Sequence, residues 1–163
     1  MPDVDLDQLA ELPDRLALLA LEEIAYTLSG RYPTCLTRPS EARAVISALF
    51  EAADAAPPTA VAMDTAAARR VLAALAQEEA SATLVGDVLA DPPGDDQMGG
   101  DDLTTDMVVL AGVIAFLRLH VDFRFKRANG RSSVDFRIGQ KPISEGMLAS
   151  LARAVLSLLQ RDS

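Results

Sequence analysis

Reactive side chains are few in this chain and widely spaced. Cys35 is its single thiol and His120 its single imidazole. A thiol becomes a strong nucleophile when a neighbouring base takes its proton, and the only imidazole lies 85 residues away. Asp122 adds a third group of catalytic type, but Cys35, His120 and Asp122 follow no recognised catalytic spacing. The aspartates of "DPPGDDQMGGDD", residues 91–102, offer hard oxygen ligands of the kind calcium takes. The alternating ligand positions and closing glutamate of an EF-hand loop are missing, so a solvated acidic linker is the better reading. Tyr26 and Tyr32 read as packing residues. The Arg69–Arg70 pair reads as a solvated helix face, because nothing nearby would cradle a phosphate. No catalytic, metal-binding or cofactor-binding set emerges, and no cofactor is expected.

The most specific signal is the stretch "VDFRFKRANGRSSVDFRIG", residues 121–139. Asn129 and Gly130 both tolerate positive φ, as a two-residue type I′ hairpin turn requires. With those two at the turn centre, Phe125 faces Val134, Phe123 faces Phe136 and Val121 faces Ile138. The other face then sets Arg124 against Asp135 and Asp122 against Arg137. A slip of one residue would mix the two faces, so the register is strongly specified. Lys126, Arg127 and Arg131 make the tip basic. Aromatic residues beside cations can stack nucleic-acid bases. Here the alternation sends rings and charges to opposite faces, and the rings are needed for a core. The interaction candidates are therefore Asp122, Arg124, Lys126, Arg127, Arg131, Asp135 and Arg137, with a protein as the partner and nucleic acid disfavoured.

These residues need a scaffold. The chain has 163 residues, half of them hydrophobic and only 4% aromatic. That suffices for a core of Ala, Leu and Val without disulfides. Ala loses no side-chain entropy in a helix, so helices should dominate. The balance of Ala, Arg, Asp and Leu over Lys points to a GC-rich bacterial genome. Net charge is −9, with −13 in residues 1–105 and +4 in residues 106–163. A body this acidic repels nucleic acid and leaves the two ends free to attract each other. The start "MPDVDLDQL" lacks the basic and apolar regions of a signal peptide. The longest apolar run, "MVVLAGVIAFL" at 107–117, is shorter than the roughly 20 residues of a membrane span. The expected compartment is the cytoplasm.

The expected fold class is α+β: mainly helical, with one C-terminal antiparallel hairpin whose strands cover about 119–127 and 132–139. Helices are expected over parts of 5–29, with Pro13 in a first turn and Gly30 as a stop. Another follows Ser40 as N-cap and ends before Pro57–Pro58. A third starts at Asp64 or Thr65, and a shorter fourth covers "SATLVGDVLAD", weakened by Gly86. Three parts result: an Ala-rich helical part over 1–90, an acidic Pro/Gly linker over 91–105, and a helix–hairpin–helix part over 106–163. The run 106–118 reads as a helix capped by Thr105 or Asp106, since Leu110, Ile114 and Leu117 share one helical face, while its Val and Ile content leaves a strand as the alternative. A last helix opens near Ser144, and its stripe of Met147, Leu148, Leu151, Val155 and Leu158 is the expected cover for the hairpin.

The arrangement of residues 107–159, an apolar helix, a paired-charge hairpin tipped by "ANGR" and an apolar terminal helix, resembles the C-terminal part of small effector-associated constant components of bacterial conflict (defence) systems. The resemblance implies a small α+β adaptor or accessory subunit. It carries no catalytic residues. The expected function is a non-catalytic protein–protein interaction module. The alternatives are an acidic immunity-type protein that masks a basic toxin, or a small enzyme with an unrecognised site. A homodimer or hetero-complex formed through the C-terminal half is expected, because residues 107–117, the last helix and the inner hairpin face are all apolar and a large exposed apolar patch marks an interface.

One consequence needs no structure. Acidic Pro/Gly-rich backbone has little to pack against. Residues 91–102 should therefore be mobile and cleaved early in limited proteolysis, as read by mass spectrometry of early fragments. Protection of this segment would refute the linker reading.

Overall fold

A computed structural model describes residues 6–29, 39–54, 64–91, 105–138 and 141–159. In chain order the elements are α1 (Leu6–Glu11), α2 (Asp14–Ser29), α3 (Pro39–Ala52), α4 (Thr65–Gln77), α5 (Glu79–Ala90), α6 (Thr105–His120), β1 (Asp122–Ala128), β2 (Arg131–Ile138), β3 (Lys141–Pro142) and α7 (Glu145–Leu159). The class is the expected one, mainly helical with a C-terminal antiparallel hairpin packed on helices.

Helix α6 is the axis of the molecule. From Val108 to Arg118 every residue except Ala111 is buried. A helix apolar on all sides must be encased by others. Here α2 and α4 form its main walls and α3 closes a third side. Val108, Val109, Leu110, Val113, Ile114 and Leu117 thus share one core with Leu21, Ile24, Val45, Leu49, Val71 and Leu72. The apolar run that would otherwise call for a partner is covered from within the chain, by the Ala-rich N-terminal helices.

The tightest point is Gly112. A Cβ placed there would lie 2.8 Å from Leu21 Cδ1 and 2.9 Å from Val71 Cγ1. The missing side chain lets α2 and α4 approach α6 at the same level.

Local chemistry explains most helix ends. Asp64 caps α4, its Oδ1 accepting from the Ala67 amide at 2.9 Å. Helix α3 opens at Pro39, one residue before the expected Ser40 cap. Proline suits that place, since its φ is already helical and its missing N–H would find no partner there. Asp54 ends the same segment with φ 53°, a left-handed stop. Helix α5 begins earlier than expected, at Glu79, and Ser81 lies inside it. The Ser81 hydroxyl donates to the Leu75 carbonyl at 2.5 Å, satisfying the end of α4 rather than starting a helix. Helix α7 opens where expected, and Ser144 caps it: its Oγ accepts from the Met147 amide at 3.3 Å. Gly30, Pro57, Pro58 and the linker over 92–104 lie outside the described residues.

Within the ladder the hairpin register is the expected one: Asp122 pairs with Arg137, Phe123 with Phe136, Arg124 with Asp135 and Phe125 with Val134; the expected Val121–Ile138 pair is not part of it, since β1 begins at Asp122. Asn129 and Gly130 have φ of 54° and 75°, which defines the type I′ turn. The strand bounds differ at two places. Residues 119 and 120 are helical, because α6 keeps its hydrogen bonds until the Val121 amide meets the Leu117 carbonyl at 2.9 Å. Beyond β2 the chain turns back to add β3, which pairs with Arg137 and Ile138. Val121 is buried as expected, but Ile138 is 44% exposed, since it sits where the sheet passes from the hairpin to this short third strand.

The cover of the hairpin also differs. Phe123 and Phe136 join the main core, with ring centroids 6.2 Å apart. The packing against the sheet comes from α3 on β2 and from α6 on β1. Helix α7 instead seats Leu148, Leu151, Val155 and Leu158 against α3, α4 and α6. Met147, on the margin of that stripe, stays exposed.

Gly112→Ala should destabilise the protein. Overpacking typically costs about 1–3 kcal/mol, against a helix-propensity gain of about 1 kcal/mol. Val71 is β-branched and fully buried, so it has little room to yield. Chemical denaturation should show a lower midpoint at unchanged slope, and adding Leu21→Ala should return part of the loss on replacing glycine at 112. A Gly112→Ala variant as stable as the parent would remove the close-approach argument.

Candidate interaction surface

The hairpin leaves the core without a loop. His120 ends α6, Val121 is buried, and Asp122 begins β1. The junction is fixed from two sides. Arg118 is buried and its guanidinium carbon lies 4.8 Å from the Phe123 ring centroid, a cation–π distance. His120 Nε2 is 3.1 Å from Glu78 Oε1, and its ring lies 4.8 Å from that of Phe116. Glu78 is the hinge residue between α4 and α5. His120 is thus a helix-terminal clasp, where a strand residue was expected. The reason is the apolar packing of α6, which carries the helix past the point where β-propensity would begin.

The sheet order is β1-β2-β3, so β1 lies at the edge. In a two-residue hairpin the pair flanking the turn is hydrogen-bonded, and bonded pairs recur at every second position. Pairs 128/131, 126/133, 124/135 and 122/137 therefore use their amides and carbonyls across the ladder. The backbone N–H and C=O groups of Phe123, Phe125 and Arg127 face outward. Among the described residues no strand pairs with that edge.

The candidate residues collect on this ribbon. Asp122, Arg124, Lys126 and Arg127 lie on β1; Arg131, Asp135 and Arg137 lie on β2. Asp122, Arg131 and Arg137 are exposed and Asp135 is half-buried. Among the described side chains the ion pair on the ribbon runs lengthwise. Arg137 Nε donates to Asp135 Oδ2 at 2.8 Å, two residues back on the same strand. In register Arg137 stands opposite Asp122, yet its guanidinium is taken up along β2. Exposed pairs of this type contribute little stability.

Other expected roles change. Arg69 and Arg70 are partly buried clamps, not a solvated face. Arg69 Nη2 reaches the Leu12 carbonyl and Asp14 Oδ1, both at 2.6 Å. Arg70 Nε donates to the Leu158 carbonyl at 3.0 Å. Adjacent positions on α4 thus serve the α1–α2 corner and the C-terminal end of α7, whose last carbonyls have no helical partner. Tyr26, expected to pack, is 80% exposed on the outer side of α2. Cys35 and Tyr32 lie outside the described residues, so the Cys35–His120 pairing does too. Among the described residues no three His, Cys, Asp or Glu side chains converge to hold a metal ion, and no helix is long and apolar enough to cross a membrane.

One group escaped the sequence reading. Glu22 on α2 has a buried Oε2 with no hydrogen-bond partner among the described residues. Burial first, and the neighbouring Glu23 second, push its carboxyl above the usual range. The available signal was two adjacent glutamates between Leu21 and Ile24, which are core residues: one of the pair had to lean toward the apolar side.

Because the folded state prefers the neutral acid, the charged form of Glu22 opposes folding. That penalty is absent below the ordinary carboxylate pKa and grows as pH rises through the raised one. Glu22→Gln should therefore raise the melting temperature at neutral pH, and the gain should shrink as the pH falls toward the ordinary glutamate range. An equal gain at all pH values would assign it to packing instead. The chain matches no family model, no curated protein and no solved structure.

Proposed function

We propose that this protein is a non-catalytic interaction module, an adaptor or accessory subunit of a bacterial multiprotein system, acting in the cytoplasm. The single observation that carries the reading is the open edge of β1. Exposed strand edges are templates for another strand, and proteins usually shorten, twist or cover them. This one has seven residues and grows from the end of the central helix. An edge held by a rigid core loses little freedom on binding, which favours recognition by strand addition. The likeness of residues 107–159 to effector-associated components supports an accessory role in a defence system, with the hairpin as the contact element.

The test begins with affinity capture from the native host and reconstitution of the captured complex from purified components. Amide exchange should then show the Phe123, Phe125 and Arg127 amides protected only in the complex. Proline is tolerated at a strand position whose N–H faces outward. Arg127→Pro should thus leave the fold intact and abolish the complex, whereas Arg127→Ala should retain most binding. A partner whose footprint lies wholly on α1–α5 would overturn the edge reading. If that partner were a strongly basic toxin, the −13 charge of residues 1–105 would identify the chain as an immunity-type protein instead.

A further inference from the structure

From the charge pattern on the open edge we infer that the segment docking on β1 is an extended, acidic strand of another protein, with carboxylates at alternate positions. The inference rests on the interaction reading and specifies its partner. Strand β1 carries Arg124, Lys126 and Arg127 against Asp122 alone, and the turn adds Arg131. Arg124 and Lys126 occupy register positions two apart, so both lie on one face of the strand. A strand laid beside β1 meets them with residues that are also two apart. Acidic residues there form two opposite-charge cross-strand pairs, and basic residues form two like-charge pairs.

The same pattern argues against a second copy of this chain. Pairing β1 with its own two-fold mate keeps each face together only when the axis passes through a residue. Centred on 124 the register sets Arg124 against Arg124 of the mate, although Asp122 then meets Lys126 twice. Centred on 125 it sets Arg124 against Lys126 twice, and centred on 126 it sets Lys126 against Lys126. Only the register centred on 125 pairs all seven residues of the strand, and there the two cation–cation contacts are offset by no opposite-charge pair. The outer edge of β2 is a poorer dock, since α3 packs on that strand and β3 occupies its end. Nucleic acid fits less well than a peptide. A polyanion is repelled by the −13 of residues 1–105 and supplies no backbone groups for the outward amides of Phe123, Phe125 and Arg127.

The experiment uses the full chain and three capped peptides that alternate valine with glutamate, glutamine or lysine, plus single-stranded oligothymidylate. Fluorescence polarisation gives affinity at low and high salt, and amide exchange gives the footprint. The glutamate peptide should protect the Phe123, Phe125 and Arg127 amides and bind about tenfold more tightly than the lysine peptide, because each exchange turns an attractive pair into a repulsive one. The difference should shrink at high salt, and the Arg124→Glu/Lys126→Glu double variant should reverse the order. If the glutamine peptide binds and protects as well as the glutamate peptide, the acidic-partner inference fails while the open-edge reading stands. If no peptide protects these amides, both fail. Tighter binding of the oligonucleotide, on the same amides, would replace the acidic strand by a nucleic acid.

Discussion

A helix that is apolar on every side has no face to present to water. That constraint on α6 organises the rest of the protein. It requires walls on several sides, supplied by α2, α3 and α4, and these walls must come close enough to exclude voids. Gly112 permits the closest approach, against Leu21 and Val71. Once the walls are in place, the remaining elements are fastened to them by polar contacts at their ends. Arg69 holds the α1–α2 corner and Arg70 the end of α7. Arg43 on α3 lies 3.7 Å from Asp106 in the first turn of α6. The core supplies most of the stabilisation, while these ties fasten particular elements to their neighbours.

The interaction surface inherits its geometry from the same helix. Val121 alone separates α6 from β1, and it is buried. The cation of Arg118 and the clasp of His120 with Glu78 hold the junction on either side. The hairpin is therefore oriented by the core rather than by a loop, although it stands at the margin of the molecule. Its charge has the opposite sign to most of the helical body, so a long-range field would distinguish the two ends of a partner before contact.

Legibility followed the range of the deciding interaction. The hairpin register could be read because Asn129–Gly130 and the alternation of Phe, Asp and Arg all lie within nineteen residues. The starts of α4 at Asp64–Thr65 and of α7 near Ser144 were readable for the same reason. Contacts between distant segments were not. Nothing near Arg69 or Arg70 announces carbonyls 57 and 88 residues away. Nor does the stripe on α7 say that α3 and α6, rather than α7, would cover the sheet. Arg137 shows the limit within the hairpin itself: its opposite number was legible, but the choice of Asp135 over Asp122 depends on side-chain paths. The open edge was readable as soon as the hairpin was. Which edge stays open was not, because β3 and α3 settle it.

The position of α6 in the chain has a further consequence, for synthesis. Helices α2, α3 and α4 are all made before the one they enclose. Translation at about 5–20 residues per second would complete α6 some 1.5–6 s after the end of α5 at Ala90. Throughout that interval the inner faces of α2 and α4, with Leu21, Ile24, Val71 and Leu72, have no axis to close upon. The nascent chain carries these apolar residues on the ribosome before the helix that later covers them has been made. The Ala-rich composition and strong net negative charge of that first part suit such a wait: the apolar groups are small, and neighbouring nascent chains repel.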